Sequence, residues 1–129
     1  MKSQLNGLAR EINLEAKSKG FWDNKRNIGE MLMLIVSELG EAMEADRKDK
    51  HADIHKHHIS YETYQLHGDH LEFKESFEIY IKDTFEDEIA DAIIRLLDLC
   101  AGLRIDIDWH IENKLKFNKT RPMLHGKTY

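Results

Sequence analysis

The stretch that decides the fold is residues 28–47, Ile-Gly-Glu-Met-Leu-Met-Leu-Ile-Val-Ser-Glu-Leu-Gly-Glu-Ala-Met-Glu-Ala-Asp-Arg. At about 100° per residue, Leu32, Ile35, Val36, Leu39 and Met43 fall on one stripe of a helix. Met31, Leu34, Ala42 and Ala45 lie beside or opposite that stripe. Only a narrow strip of Met33, Ser37, Gly40, Glu44 and Arg47 is expected to face water. A helix apolar on so many sides is either central in its domain or covered by a second subunit. Its start is also marked: Asn27 and Glu30 stand three apart just before the apolar run, a capping-box arrangement.

On the N-terminal side, Leu5, Leu8, Ile12 and Ala16 recur at helical spacing and predict an amphipathic helix over roughly residues 3–18, with Gly20 as its stop. The loop Phe21-Trp22-Asp23-Asn24 follows. On the C-terminal side, residues 49–75 hold six of the eight histidines and no steady periodicity. They read as an insertion or long connection with room for a short helix. Helical spacing returns with Phe77, Tyr80, Ile81, Phe85, Ile89, Ala92, Leu96, Leu99 and Leu103, and Gly102 marks the end. The alternation Phe77, Ile79, Ile81 would also fit a short strand. Asp106 or Asp108 can cap a last helix reaching to about residue 118. The expected architecture is all-α: a four- to five-helix bundle in a single domain over residues 1–129, interrupted by a His-rich insertion at about 49–75 and completed by homo-oligomerisation into a homodimer or homotetramer.

The composition agrees with this. A chain of 129 residues with 41% hydrophobic and 33% charged residues fits one soluble globular domain. No apolar stretch is long enough to span a membrane, and Met1-Lys2-Ser3-Gln4 opens no signal peptide. The lone Cys100 cannot form an internal disulfide, which suits a reducing compartment, so a cytoplasmic location is expected. The net charge of -5, from 24 acidic residues against 19 lysines and arginines, weighs against duplex nucleic acid as a partner. A small anionic ligand remains compatible, provided metal ions bridge the two negative surfaces.

The chemistry lies in four carboxylates. Glu38 and Glu41 are three apart on the second helix and share a side of it, next to the apolar Leu34 and Ala45. Glu88 and Asp91 repeat the spacing on the later helix, flanking Phe85, Ile89, Ala92 and Leu96. Two acidic pairs beside the seams of two packed helices would repel one another strongly, and burying them without cations would be costly. Hard divalent cations resolve the conflict, and Mg²⁺ is the usual choice where phosphates share the site, with Mn²⁺ as a substitute. The plain alternative is a solvated acidic face, since Glu41/Glu44, Glu72/Glu75 and Glu75/Glu78 have the same spacing. Arg95 and Asp98 continue the polar side of the later helix, so an internal ion pair could meet part of the charge.

The C-terminus, Lys114-Leu115-Lys116-Phe117-Asn118-Lys119-Thr120-Arg121-Pro122, is basic inside an acidic protein. Lys114 and Asn118 share a helical face with Ile107 and Ile111 and need a partner there. A frayed solubilising tail is the plain reading; beside a metal cluster, a phosphate clamp is the functional one.

Together these residues resemble the MazG-like, all-α nucleoside triphosphate pyrophosphohydrolase family, whose signature is Glu-x-x-Glu on one helix and Glu-x-x-Asp on a later one. Here these read Glu38-Leu39-Gly40-Glu41 and Glu88-Ile89-Ala90-Asp91, with Lys19-Gly20-Phe21-Trp22 before them and Lys114, Asn118, Arg121-Pro122 and His125-Gly126-Lys127 after. The resemblance covers nearly the whole chain except residues 49–75, which make the separation from Glu41 to Glu88 longer than is usual. It implies that Glu38, Glu41, Glu88 and Asp91 hold Mg²⁺ ions and form the catalytic centre. It also implies Mg-dependent hydrolysis of (deoxy)nucleoside triphosphates at the α-phosphorus, giving a nucleoside monophosphate and pyrophosphate, as in nucleotide-pool house-cleaning. Lys114, Asn118 and Arg121 are then candidate phosphate and sugar contacts. Trp22 is either a stacking surface for the base or a hydrophobic plug over the helix ends.

Three other classes were weighed. A ferritin-like di-iron bundle needs Glu-x-x-His pairs, and the sequence contains none. A non-catalytic helical dimerisation module would explain the apolar second helix and predicts no Mg²⁺ dependence. A transition-metal site could use His51 and His55, which share a helical spacing.

Overall fold

A computed structural model describes residues 4–65 and 71–128. These form six α-helices: α1 (Leu5–Ser18), α2 (Ile28–Arg47), α3 (Ile54–Gln65), α4 (Leu71–Tyr80), α5 (Phe85–Gly102) and α6 (Ile107–Lys119). A short 3-10 turn at Met123–Gly126 follows, and there is no strand among the described residues. The protein is all-helical as expected, with six helices where four or five were anticipated. The chain divides into two compact units, Met1–Arg26 with Leu96–Tyr129, and Asn27–Arg95; the boundary falls inside α5.

In the first unit, α1 and α6 cap each other. Asp108 accepts the backbone N–H groups of Leu5 and Asn6, each at 3.0 Å, so two of the donors that an isolated α1 would leave unmatched are satisfied. In return the Asn6 side chain accepts the Ile107 N–H at 3.0 Å and donates to Asp106, which itself caps the Trp109 N–H at 3.0 Å. Asp106 is thus the cap of α6, while Asp108 caps α1.

A second polar hub is Asp98 of α5. It is buried and accepts from the Asn13 amide at 2.9 Å and the Trp22 indole N–H at 3.0 Å, with Arg26 at 3.5 Å. The Trp22 ring closes against the end of α5, where a Cβ on Gly102 would lie 2.2 Å from the ring. Gly102→Ala should therefore destabilise the protein by about 1–3 kcal/mol through overpacking, read as a lowered melting temperature. An unchanged melt would mean that the indole sits elsewhere.

In the second unit, α2 starts where Asn27 accepts the Glu30 N–H at 3.1 Å, as the capping pattern indicated. Its buried side differs from the expected one. Met31, Ile35, Glu38, Ala42 and Ala45 are buried, whereas Leu32, Val36, Leu39 and Met43 are 46%, 53%, 48% and 54% exposed. The seam is displaced by one residue, which turns the small Ala42 and Ala45 and the ion-paired Glu38 inward and the bulkiest aliphatics outward.

The stretch read as an irregular insertion holds α3 and the start of α4. Aromatic packing joins these two helices: His57 meets Phe77 at 6.0 Å and Phe73 at 5.4 Å, both edge to face. The buried His57 Nδ1 meets Ser76 Oγ at 2.9 Å. The single later helix expected from Phe77 to Gly102 is in fact α4 and α5 with a break at 81–84, and Phe77 and Ile79 lie in α4 rather than in a strand. Asp83 takes φ 62 in the break and donates its N–H to Asp87 at 3.0 Å, while the Thr84 carbonyl accepts from Glu88 at 3.0 Å.

Candidate metal centre

Glu38 projects from the buried side of α2, and Glu88 and Asp91 lie one turn apart on α5 just beyond the Thr84 turn. Further ties hold the start of α5 in place: the Phe85 N–H donates to the Lys50 carbonyl at 2.9 Å, and Glu86 accepts the Ala52 N–H at 2.9 Å. One oxygen from each of Glu38, Glu88 and Asp91 lies within 4.8 Å of the others, and both glutamates are buried. Glu41 is exposed on α2 but close enough to hydrogen-bond Glu38 and to raise Glu88 through its charge. The two pairs read from the sequence therefore come together, three carboxylates tightly and the fourth at the edge.

The electrostatics of this group are uneven. Burial disfavours ionisation of Glu38, but hydrogen bonds, first that of Arg95, outweigh it and hold its carboxyl below the usual range. The Arg95 Nε to Glu38 Oε1 distance is 2.8 Å. Glu88 has no such cation. Burial first, then its hydrogen bond to Glu38 and the charges of Glu41, Glu38 and Asp91, push it up to about 7. Asp91 is raised as well, by burial and then by Asp87 and Glu38. Arg95 thus separates the two carboxyls, holding Glu38 toward its ionised form while Glu88 is pushed toward its protonated form. This ion pair was foreseen only in outline; its signal is the position of Arg95 one turn beyond Asp91.

The donor set fits a small hard cation. Three carboxylate oxygens within 4.8 Å of one another would converge on one small cation by side-chain adjustment. Every donor is a carboxylate oxygen, the chemistry that Mg²⁺ and Mn²⁺ accept.

Comparison of the chain with protein families, curated proteins and solved structures finds no match. The site must be read from its own residues.

The basic candidates lie in the first unit. Lys114 and Arg121 both approach the Phe117 ring, at 5.1 and 5.7 Å, and Asn118 Oδ1 is buried with no hydrogen-bond partner. Among the described residues it is the buried side-chain polar atom left without a partner. Trp22 spends its N–H on Asp98 and packs on Gly102. His51 precedes α3 instead of sharing a helix turn with His55, and pairs with Glu86 at 3.0 Å and Asp46 at 3.6 Å. His67 and His70 lie outside the described residues.

Proposed function

We propose that the protein is a Mg²⁺-dependent nucleoside triphosphate pyrophosphohydrolase of the MazG-like kind, releasing a nucleoside monophosphate and pyrophosphate. The observation that carries this reading is the carboxylate group itself: Glu38, Glu88 and Asp91 converge, and among the described residues Arg95 forms an ion pair with Glu38 alone. A cluster kept together against its own repulsion calls for a further cation. The two acidic motifs and the basic C-terminal segment agree with the same chemistry.

Magnesium would supply the positive charge that draws the polyphosphate in and the Lewis acidity that makes water a nucleophile at neutral pH. Glu38, Glu88 and Asp91 would hold it, with Glu41 at the edge. Arg95 fixes the orientation of Glu38 by a directed hydrogen bond. By the resemblance alone, Lys114 and Arg121 are candidate phosphate contacts and Asn118 a candidate phosphate or sugar contact. Trp22, committed to Asp98, acts as the plug. Incubating a panel of ribo- and deoxyribonucleoside triphosphates with and without Mg²⁺ tests the reading: monophosphate should form only with the metal.

Assembly is part of the proposal. The outward stripe of Leu32, Val36, Leu39 and Met43 is continuous along α2, and its spacing suits a second helix. A homodimer or homotetramer would cover it. Sedimentation equilibrium of Leu39→Glu should show a smaller species than the parent protein; a monomeric parent at micromolar concentration would refute the assembly. The same stripe favours the second reading, a non-catalytic dimerisation module, which predicts assembly without any triphosphate hydrolysis.

A further inference from the structure

The second unit contains a groove of about 700 Å³ that begins at the carboxylate group. Asp91 belongs to both. The groove's lining also takes in Ala90 and Ile94 of α5, Ile54 of α3, and Phe73 and Phe77 of α4. The volume lies within the range of small-molecule sites, about 300–1,000 Å³. The lining is apolar yet wet: Ile54, Phe73 and Ile94 are 58%, 44% and 46% exposed. Apolar surface left open in a concave site next to a metal-type carboxylate group is surface that a ligand can cover.

We propose that this groove takes the nucleoside half of the triphosphate, with the base against Phe73 and Phe77. The proposal rests on the reading of the carboxylates as the phosphate end. Charge assigns the two halves of the ligand. Five carboxylates line the groove against the two lysines Lys74 and Lys82, so it repels a polyphosphate unless a cation intervenes. A cation is expected only at the Asp91 end. The neutral, flat part of the nucleotide is therefore the part the groove accepts, and an aromatic wall suits it because every base has a face to stack. The walls come from α3 and α4, so the His-rich stretch that separates the two acidic motifs acquires a role: it builds the base side of the site.

The test uses the full chain and two exposed positions. Phe73→Ala removes the stacking ring, and Ala90→Phe fills the groove. Each is compared with the parent protein for KM and kcat on the best triphosphate of the panel, for Mn²⁺ binding by electron paramagnetic resonance, and for melting temperature. The expected result is a KM at least tenfold higher in both, with Mn²⁺ affinity unchanged within twofold. Hydrolysis by the parent with KM unchanged in both folded variants overturns the groove and leaves the carboxylate reading standing. A parent that hydrolyses no triphosphate overturns both. If Ala90→Phe does not fold, Phe73→Ala decides alone. If Ala90→Phe instead dissociates the assembly at unchanged KM, a second copy covers the groove and the proposal fails.

Discussion

Glu88→Gln should reduce triphosphate hydrolysis by a factor of about 100 or more while leaving the metal-free protein near pH 4.5 as stable as the parent. The two halves of that outcome have one cause. With its carboxyl pushed up to about 7, Glu88 is protonated in the folded protein near pH 4.5 and below, and a glutamine copies that neutral state with nearly the same volume. At pH 8 the parent carries a buried, repelled charge there and the variant does not, so the variant should melt at the higher temperature. Asp91→Asn should likewise lose activity without destabilising the metal-free protein, since burial and then the charges of Asp87 and Glu38 raise its carboxyl. Glu38→Gln should behave differently. It removes the partner of Arg95, 2.8 Å away, and should destabilise the protein by about 1–3 kcal/mol as well as abolish activity. A solvated acidic face predicts no loss of activity in any of the three. Unchanged turnover in Glu88→Gln and Asp91→Asn together would sink the assigned site.

Metal affinity should fall about 30-fold between pH 8 and pH 5.5, because a carboxyl with a pKa of about 7 must lose its proton to bind a cation. Stability of the metal-free protein carries the complementary dependence. Glu88 is raised in the folded state, so its contribution is fully present below the ordinary carboxylate value of 4.5 and is lost as pH rises through about 7. Asp91 shifts in the same direction. Glu38 is lowered, so its contribution has the opposite sign: present above 4.5 and lost only on further acidification. Between pH 4.5 and pH 7 the melting temperature of the metal-free protein should therefore fall, and saturating Mg²⁺ should reverse the trend. Mn²⁺ titrations at pH 5.5 and pH 8, with melting curves at both, check this. Equal affinities at the two pH values would show that Glu88 is not a ligand.

Much of this was legible from the residues. The Asn27 cap, the bounds of α2 and the two acidic motifs are local features, set by spacing along one helix, and they stand where the periodicity put them. The break between α4 and α5 was not read, because it uses neither glycine nor proline. Asp83 adopts a left-handed backbone stabilised by its bond to Asp87, and Thr84 receives the new helix. A signal was present in Thr84-x-x-Asp87, a Thr-led spacing of the capping kind, but the apolar rhythm through Phe77, Ile81 and Phe85 masked it. The buried side of α2 was misjudged by one residue for a different reason. Hydrophobicity favoured Leu32, Val36, Leu39 and Met43, whereas burial follows Glu38, whose partner Arg95 is 57 residues away. The groove was equally hidden, since Ile54, Phe73 and Ala90 share no spacing; only the packing of α3, α4 and α5 brings them around one groove.

The most direct test of the central claim is hydrolysis in ¹⁸O-labelled water with Mg²⁺ present, followed by mass analysis of the products. Attack of water at the α-phosphorus breaks the bond to the oxygen bridging the α- and β-phosphorus atoms, and that oxygen departs with pyrophosphate. One labelled oxygen should then appear in the nucleoside monophosphate and none in the pyrophosphate. Label in the pyrophosphate, or orthophosphate as the first product, would contradict the account.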